Sequence, residues 1–169
     1  PPPPAPADLA SARLLDQAAF GPTPAELARV KTLGVNAWLA EQLAMPETTI
    51  PDPGQNGNTQ MQAQYLARLS SAPDQLRQRV AYALAQVFVI SMNKNNYPPE
   101  VVPFLQILSR NAFGNYRTLL KDVTLHPAMG YYLNMMKSEK DDPAQGIHPN
   151  ENYAREVLQL FSIGLIRSE

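Results

Sequence analysis

The stretch that indicates the fold occupies residues 148–165 and reads His148-Pro149-Asn150-Glu151-Asn152-Tyr153-Ala154-Arg155-Glu156-Val157-Leu158-Gln159-Leu160-Phe161-Ser162-Ile163-Gly164-Leu165. Its apolar residues recur at the three- and four-residue spacing of an amphipathic helix. Asn150 is well suited to be the N-cap of that helix. The stretch therefore predicts a helix that buries one apolar face against the rest of the chain.

The polar side of this predicted helix divides into a stripe and a pair. Because each helical residue advances about 100° around the axis, Asn152, Glu156 and Gln159 lie on one stripe. Arg155 lies at its edge and follows Glu151 by four residues, the favourable orientation for a surface ion pair. We therefore interpret Glu151 and Arg155 as a pair at the helix start, and the stripe as the place where any chemistry would occur.

The residues before this stretch predict further helices. The sequence Thr-Pro-Ala-Glu at residues 23–26 combines a capping box with a proline at the first helical position. Asp8 is predicted to be the N-cap of the first helix. Residues 46–58 contain three prolines and two glycines and predict an exposed loop. Residues 74–91 predict a long central helix, because their second half is apolar nearly all round.

The fold class follows from these helices and from the absence of any strand pattern. No segment alternates apolar and polar residues with the two-residue period of a strand. In the third predicted helix, Trp38, Leu39 and Leu43 are expected to face inward. Pro127 disfavours helical backbone at His126, which is therefore predicted to lie at a junction between two helices. The predicted fold is all-α, a compact bundle of about eight helices without a sheet.

Length, composition and charge limit the classes of protein that are compatible with this chain. Its 169 residues suffice for one sizeable core, and we predict a proline-rich spacer at residues 1–7 and a single helical domain at residues 8–169. The net charge of −1 argues against a nucleic-acid-binding surface. Cysteine is absent, which excludes disulfides and thiolate chemistry. No run approaches the roughly 20 apolar residues that a transmembrane helix needs.

Four stretches of the chain also form an ordered pattern that is characteristic of one family. They read Ala12-Arg13-Leu14-Leu15 with Phe20-Gly21-Pro22-Thr23-Pro24, then Leu76-Arg77-Gln78-Arg79-Val80-Ala81, then Leu125-His126-Pro127-Ala128-Met129, and finally Glu151-Asn152-Tyr153-Ala154-Arg155-Glu156. Each stretch is weak by itself, but the ordered set is specific. The chain resembles the bacterial family called domain of unknown function 1800, from about Ala12 to Leu165.

The resemblance implies a cellular location and a larger protein, but no activity. Members of the family are typically exported, with a signal peptide followed by a tail rich in proline and alanine like residues 1–7. They usually continue well beyond a segment like the Leu-Phe-Ser-Ile-Gly-Leu at residues 160–165, so the chain is expected to be the N-terminal portion of a family domain. Members are often encoded beside a sulfatase-like family, which makes such a neighbour a candidate partner.

Four residues are our candidates for catalysis. Glu156 is the first choice as an acid/base or ion-binding carboxylate, since apolar neighbours could raise its pKa. His126, held between two helices, is the candidate general base or metal ligand. Arg155 could bind an anionic group, and Asn152 completes the cluster. The alternative interpretation is structural: Glu156 would pair with a buried arginine, and His126 would hydrogen-bond the backbone at a helix end.

Three further residues are candidates for substrate binding. Arg77 and Arg79 could bind an anionic substrate group with two parallel hydrogen bonds, and Gln159 lies on the polar stripe. The spacings typical of zinc proteases are missing, serine has no nucleophile-elbow setting, and no glycine-rich phosphate loop is present. We therefore predict no metal site and assign no cofactor.

Two hypotheses for the function follow from these observations. The first is an exported helical domain that works as an interaction or assembly module of the cell envelope. Its partner would be another protein or the downstream part of the same family domain, which would cover the Leu160, Phe161 and Leu165 side chains. The second is an enzyme that acts on an envelope or extracellular polymer through Glu156 and His126 together with the polar residues around them.

Overall fold

The computed structural model describes residues 5–51, 57–95 and 97–164, with Pro6 described by its backbone only. This part of the chain forms nine α-helices and no strand, as predicted; an isolated bridge pairs Asp142 with Ile147. The helices are α1 (Pro6–Ala18), α2 (Pro24–Leu33), α3 (Val35–Ala44), α4 (Gly57–Ser71), α5 (Gln75–Val87), α6 (Pro98–Arg110), α7 (Tyr116–Thr124), α8 (Pro127–Tyr132) and α9 (Asn152–Gln159).

Side chains close in sequence determine several helix starts. Thr23 accepts a hydrogen bond from the Glu26 amide at 3.2 Å and starts α2, which confirms the predicted cap. The predicted cap at Asp8 is wrong. Helix α1 has its N-cap at Ala5 and begins at Pro6, since the fixed φ of proline suits the first helical position. Asp8 therefore lies in the first turn, and the helix begins within the predicted 1–7 spacer.

Residues 46–50 are irregular, as predicted for the loop at residues 46–58, but the prediction that the whole loop is exposed is wrong at Ile50. Ile50 is 5% exposed and lies in an apolar cluster. The Thr48 amide donates to Asp74 Oδ2 at 3.0 Å, and the Ile50 amide donates to Gln106 Oε1 at 3.1 Å. Two distant side chains thus satisfy this irregular backbone, as buried backbone requires. Residues 52–56 of the predicted loop lie outside the described residues.

The predicted central helix at residues 74–91 is shorter than expected. Helix α5 ends at Val87, and the next residue, Phe88, is fully buried while Val87 and Val89 are exposed. Burial at every second residue is the pattern of extended backbone. A continuous apolar run does not distinguish this arrangement from a buried helix, which is why the sequence misplaced the end of α5.

The inward face of α3 differs from the prediction by one side chain. Trp38 is buried as expected, but Leu43 is exposed and Gln42 is buried in its place. The Gln42 amide donates to the Pro73 carbonyl at 3.0 Å and accepts from the Leu76 amide at 3.0 Å. These hydrogen bonds to a segment about 30 residues away offset the cost of burying the amide.

The largest apolar core positions the last helix. It contains residues from the segment after α5 and from α6 to α9, and its buried members are Phe88, Phe104, Leu108, Leu119, Val123, Ala128, Met129, Tyr153 and Phe161. Helix α9 ends at Gln159, and a turn follows that buries Phe161 and leaves Leu160 65% exposed. Leu165 lies outside the described residues. The predicted amphipathic helix therefore exists, but it is shorter than its sequence pattern.

Candidate functional site

Of the predicted polar residues of α9, Arg155 is exposed and Asn152 is half-buried. Arg155 donates from Nη2 to Asn152 Oδ1 at 2.9 Å, and its Nη1 lies 3.8 Å from Glu151 Oε1. Glu156 is half-buried, and its Oε2 is shielded from solvent without a hydrogen-bond partner. Gln159 is half-buried as well. The structure thus brings Asn152 and Arg155 into direct contact, and Glu156 stands apart from their hydrogen bonds.

His126 is the N-cap of α8. Its Nδ1 accepts a hydrogen bond from the Ala128 amide at 3.2 Å, and its ring packs edge-on against Phe104 at 5.6 Å. Burial lowers the pKa of His126 below the 6.5 of a free histidine, because an apolar environment disfavours the charged ring. In the described part of the chain, no hydrogen bond or ion pair joins His126 to Glu156. A joint catalytic role of these two residues stays a prediction.

The two arginines predicted to bind substrate contact different parts of the protein. Arg77 donates to the carbonyls of Ser109 and Met45 at 3.2 and 3.4 Å, and it stacks over Phe113 at 4.6 Å. Arg79 donates to the Asp16 carbonyl at 3.5 Å and lies 5.2 Å from the Phe20 ring centre. The protein itself therefore engages both guanidinium groups. Their role in substrate binding stays a prediction.

Sequence reasoning missed a deeply buried set of polar residues, which we call the α5 polar cluster: Arg68, Asp74 and Gln78. Arg68 Nε donates to Gln78 Oε1 at 2.6 Å, and Gln78 Nε2 donates to Asp74 Oδ2 at 2.9 Å. Asp74 and Gln78 are fully buried, and Arg68 is 5% exposed. Burial lowers the pKa of Arg68. The four-residue spacing of Asp74 and Gln78 was the available signal, since it places both on one helix face.

The α5 polar cluster has a structural task that its contacts make plain. Asp74 Oδ2 also accepts from the Thr48 amide at 3.0 Å, so it holds the irregular segment before residue 51. Arg77 Nε lies 3.8 Å from the same oxygen. Paired charges and hydrogen bonds of this kind are what allow ionised groups to be buried. We therefore regard the cluster as part of the framework of the fold.

A groove between α7 and α9 is the most apolar cavity that the described residues form. We call it the α7–α9 groove; it has a volume of about 650 Å³ and is lined by Arg117, Leu120, Lys121, Thr124, Leu125, Tyr153, Ala154, Val157 and Leu158. Most of these side chains are apolar, and the volume lies within the roughly 300–1,000 Å³ of typical ligand sites. The arrangement suits the burial of an apolar surface better than it suits proton transfer.

Two hydrogen bonds fix the walls of the α7–α9 groove relative to each other. The Tyr153 hydroxyl donates to Thr124 Oγ1 at 2.6 Å. Tyr116, at the start of α7, donates from its hydroxyl to the Phe161 carbonyl. Burial raises the pKa of Tyr153, although the bond with Thr124 opposes this. The groove is therefore pre-formed, with a neutral tyrosine in its wall.

Two observations concern membranes and metals. Of the helices that the structure describes, none is long and apolar enough to cross a membrane. Within residues 5–51, 57–95 and 97–164, no three histidine, aspartate or glutamate side chains are grouped so that they could hold a metal ion.

Comparison with known proteins places the chain in a family. A family model described as "Protein of unknown function (DUF1800)" matches residues 13–168. The match covers the second half of α1 and all of α2 to α9. No curated protein and no solved structure matches the chain.

Proposed function

The chain belongs to the DUF1800 family of proteins of unknown function, and we propose that it is a protein-interaction module whose α7–α9 groove binds an amphipathic helix of a partner protein. The observation that carries this proposal is the exposure of leucines along the groove. Leu125 is 71% exposed and Leu158 is 56% exposed. A single exposed leucine is ordinary, but leucines grouped on an apolar cavity are typical of interaction surfaces.

The shape of the groove favours a helical partner segment. Its walls are the two helices α7 and α9, tied together by the bond between Tyr153 and Thr124. Amphipathic helices commonly bind by laying their apolar face into a groove of this kind. Binding would cover Leu125 and Leu158 and the half-buried Leu120 and Val157. Each leucine buried completely contributes about 1.5–3 kcal/mol before the entropy cost of association.

The charge of the groove specifies the polar face of the partner helix. Arg117 and Lys121 line the groove one helical turn apart, and both are exposed. Among the described residues, neither side chain has an ion-pair partner. Acidic residues beside the apolar stripe of the partner would pair with them, which determines orientation and association rate more than affinity. We therefore assign an acidic amphipathic helix as the occupant.

We further propose that this module works in the bacterial cell envelope. The support is the family resemblance, since members are typically exported and carry a proline-rich tail like residues 1–7. A sulfatase-like neighbour and a downstream part of the same family domain are the partners to examine first for an acidic amphipathic helix. Cell fractionation of the protein expressed from its own gene tests the location, and recovery in the cytoplasm would contradict it.

Binding of a designed peptide tests the groove directly. The probe is a fluorescein-labelled amphipathic helix of about 18 residues, long enough for five turns, with leucines on one face and glutamates beside them. We expect the full chain to bind it, and the L158K variant to lose at least about tenfold in affinity (about 1.4 kcal/mol). The matched control is L66K, which changes a leucine of α4 that is also exposed. Fluorescence anisotropy measures both.

Three outcomes would overturn the proposal. Equal binding of a peptide with lysines in place of the glutamates would remove the role of Arg117 and Lys121. An equal loss of affinity in L66K and L158K would show that the peptide binds no particular surface. A dimer in light scattering that L158K dissociates would assign the groove to a second copy of the chain.

A further inference from the structure

A second cavity lies at the other side of the core, and it shares no lining residue with the α7–α9 groove. Its volume is about 430 Å³, and it is lined by Lys94, Asn95, Tyr97, Glu100, Tyr131 and Met136. These residues come from the segment between α5 and α6, from the first turn of α6, and from α8 and the turn after it. We call it the Tyr97–Tyr131 cavity.

Hydrogen bonds hold the polar groups of this cavity in position. The Lys94 ammonium donates to the Tyr132 carbonyl and to Asn134 Oδ1, both at 2.7 Å. Because an ammonium has three N–H donors, one remains available. Asn95 is 1% exposed and donates from Nδ2 to the Ala128 carbonyl at 2.9 Å. These contacts orient both side chains before any ligand arrives.

Two polar groups at the cavity still lack partners. The Oδ1 atom of Asn95 is shielded from solvent and has no hydrogen-bond partner. No hydrogen bond or ion pair of the Glu100 side chain occurs among the described residues. The Glu100 carboxylate lines the cavity and is therefore the acceptor that a ligand hydroxyl can reach.

The apolar part of the cavity consists of exposed aromatic rings. Tyr97 is 46% exposed and Tyr131 is 45% exposed. The turn after α8 carries Met136 to the cavity, and within it Asn134 and Lys137 have positive φ angles of 59° and 61°. Asparagine adopts such backbone readily, whereas for lysine it is less common.

The charges at the cavity limit the class of ligand. Lys94 lies 5.8 Å from the Tyr131 ring centre, and Glu100 lines the same cavity. The cavity therefore carries one cationic and one anionic side chain, and its charge favours neither a cation nor an anion. A neutral ligand with several hydroxyl groups suits both side chains, because hydroxyls donate hydrogen bonds to a carboxylate and accept them from an ammonium. Its C–H faces can pack on the tyrosine rings, which offer a large apolar surface with a polar end.

We propose that the Tyr97–Tyr131 cavity binds one sugar unit of a neutral saccharide. The rings of Tyr97 and Tyr131 pack against the faces of the sugar. Lys94 donates a hydrogen bond to a hydroxyl oxygen, and Glu100 accepts one from a hydroxyl group. This binding is independent of the groove, because a different pair of helices forms each site.

Saturation-transfer NMR on the full chain tests this proposal. The probes are three neutral oligosaccharide series, built of glucose, mannose and N-acetylglucosamine, together with a glucuronic acid oligomer as the anionic comparison. We expect signals from at least one neutral series and none from the anionic one. Isothermal titration then gives the affinity for the series that binds. We expect Y131A to weaken it about fivefold to tenfold, and Y131F to retain it.

The controls separate this site from folding and from the groove. Tyr97 and Tyr131 are half-exposed, so Y97A and Y131A are expected to melt within a few degrees of the parent chain. L158K is expected to leave sugar binding unchanged, just as Y131A is expected to leave peptide binding unchanged. The proposal is overturned if no neutral series binds with a dissociation constant of about 10 mM or lower. It is equally overturned if Y97A and Y131A bind the sugar as the parent does.

Discussion

The α5 polar cluster and the last helix use polar residues in opposite ways. In the cluster, Asp74 and Gln78 are fully buried and hold distant segments of the chain together. On α9, the polar residues Asn152, Glu156 and Gln159 are only half-buried, and the apolar Leu158 is exposed to solvent, as is Leu160 just after the helix. Polar side chains therefore build the framework in one region, and apolar side chains line the binding surface that we propose in the other. Polarity in a sequence does not by itself identify the functional site.

The largest expected effect tests whether the turn after α9 buries Phe161 and leaves the adjacent Leu160 exposed. F161A should destabilise the protein by about 4 kcal/mol, because Phe161 is 2% exposed and packs on Phe88 at a ring distance of 5.0 Å. The neighbouring change L160A should cost less than about 0.5 kcal/mol, as surface substitutions usually do. Urea denaturation measures both. Equal destabilisation by the two changes would refute the described turn after α9.

The next effect tests whether the α5 polar cluster is part of the framework. D74A should destabilise the protein by about 3 kcal/mol, since it leaves the Gln78 side-chain amide and the Thr48 backbone amide without their acceptor and removes a carboxylate that stabilises the buried Arg68 guanidinium. The control is D141A, which removes an exposed aspartate whose Oδ1 lies 2.8 Å from His148 Nδ1; its cost should stay below about 1 kcal/mol. Denaturation curves give the free energy of unfolding of both variants, and a larger loss in D74A than in D141A would support the framework role of the cluster. A D74A protein as stable as D141A would make the cluster dispensable.

A smaller effect concerns pH and the cap of α8. The folded pKa of His126 lies below 6.5, so the unfolded chain binds the proton first as the pH falls. The contribution of neutral His126 to the free energy of unfolding is therefore fully present above about pH 6.5. It is lost as the pH falls through the pKa that His126 has in the folded protein. Protonation also removes the Nδ1 acceptor that caps α8.

The H126N variant isolates this contribution, because asparagine is a good N-cap that does not titrate. At pH 7.5 it should cost about 1 kcal/mol for the lost packing on Phe104. Between pH 7.5 and 5.5 the parent should lose more unfolding free energy than the variant. Thermal or urea denaturation at the two pH values gives that difference. Parallel losses in both proteins would mean that His126 is not held neutral by the fold.

The smallest expected effect is at the start of α9. E151A removes the partner of Arg155, but the two side chains are 70% and 47% exposed and their atoms lie 3.8 Å apart. The change should therefore cost less than about 0.5 kcal/mol at low salt and still less at 1 M salt. Denaturation at the two salt concentrations checks this. A cost above about 1 kcal/mol would show that this polar surface also supports the fold.

Local chemistry explains which elements could be predicted. Thr23 caps α2, Asn115 caps α7 and His126 lies between α7 and α8, and each depends on hydrogen bonds or proline restrictions within three residues. The amphipathic pattern of α9 and the contact of Arg155 with Glu151 have the same local origin. Such features need no knowledge of the rest of the fold.

Distant partners explain which elements could not be predicted. Gln42 is buried because it bonds to Pro73, and Arg68 is buried because Gln78 lies on a neighbouring helix. Gln78 therefore lies on the buried face of α5, where the helical pattern of the sequence would predict an apolar residue. The candidate site shows the same division, since Leu158 belongs to the apolar pattern of the last helix but is exposed at the groove.

The sequence by itself determined an all-α fold, several helix starts and an amphipathic last helix, because helical periodicity and capping depend on neighbouring residues. Only the tertiary structure decided that Phe161 faces the core while Leu160 faces solvent. It likewise decided that Asp74 holds the segment around Thr48, and that α7 and α9 leave an apolar groove open. Each of these depends on which helices meet, and that follows from packing between residues far apart in the chain.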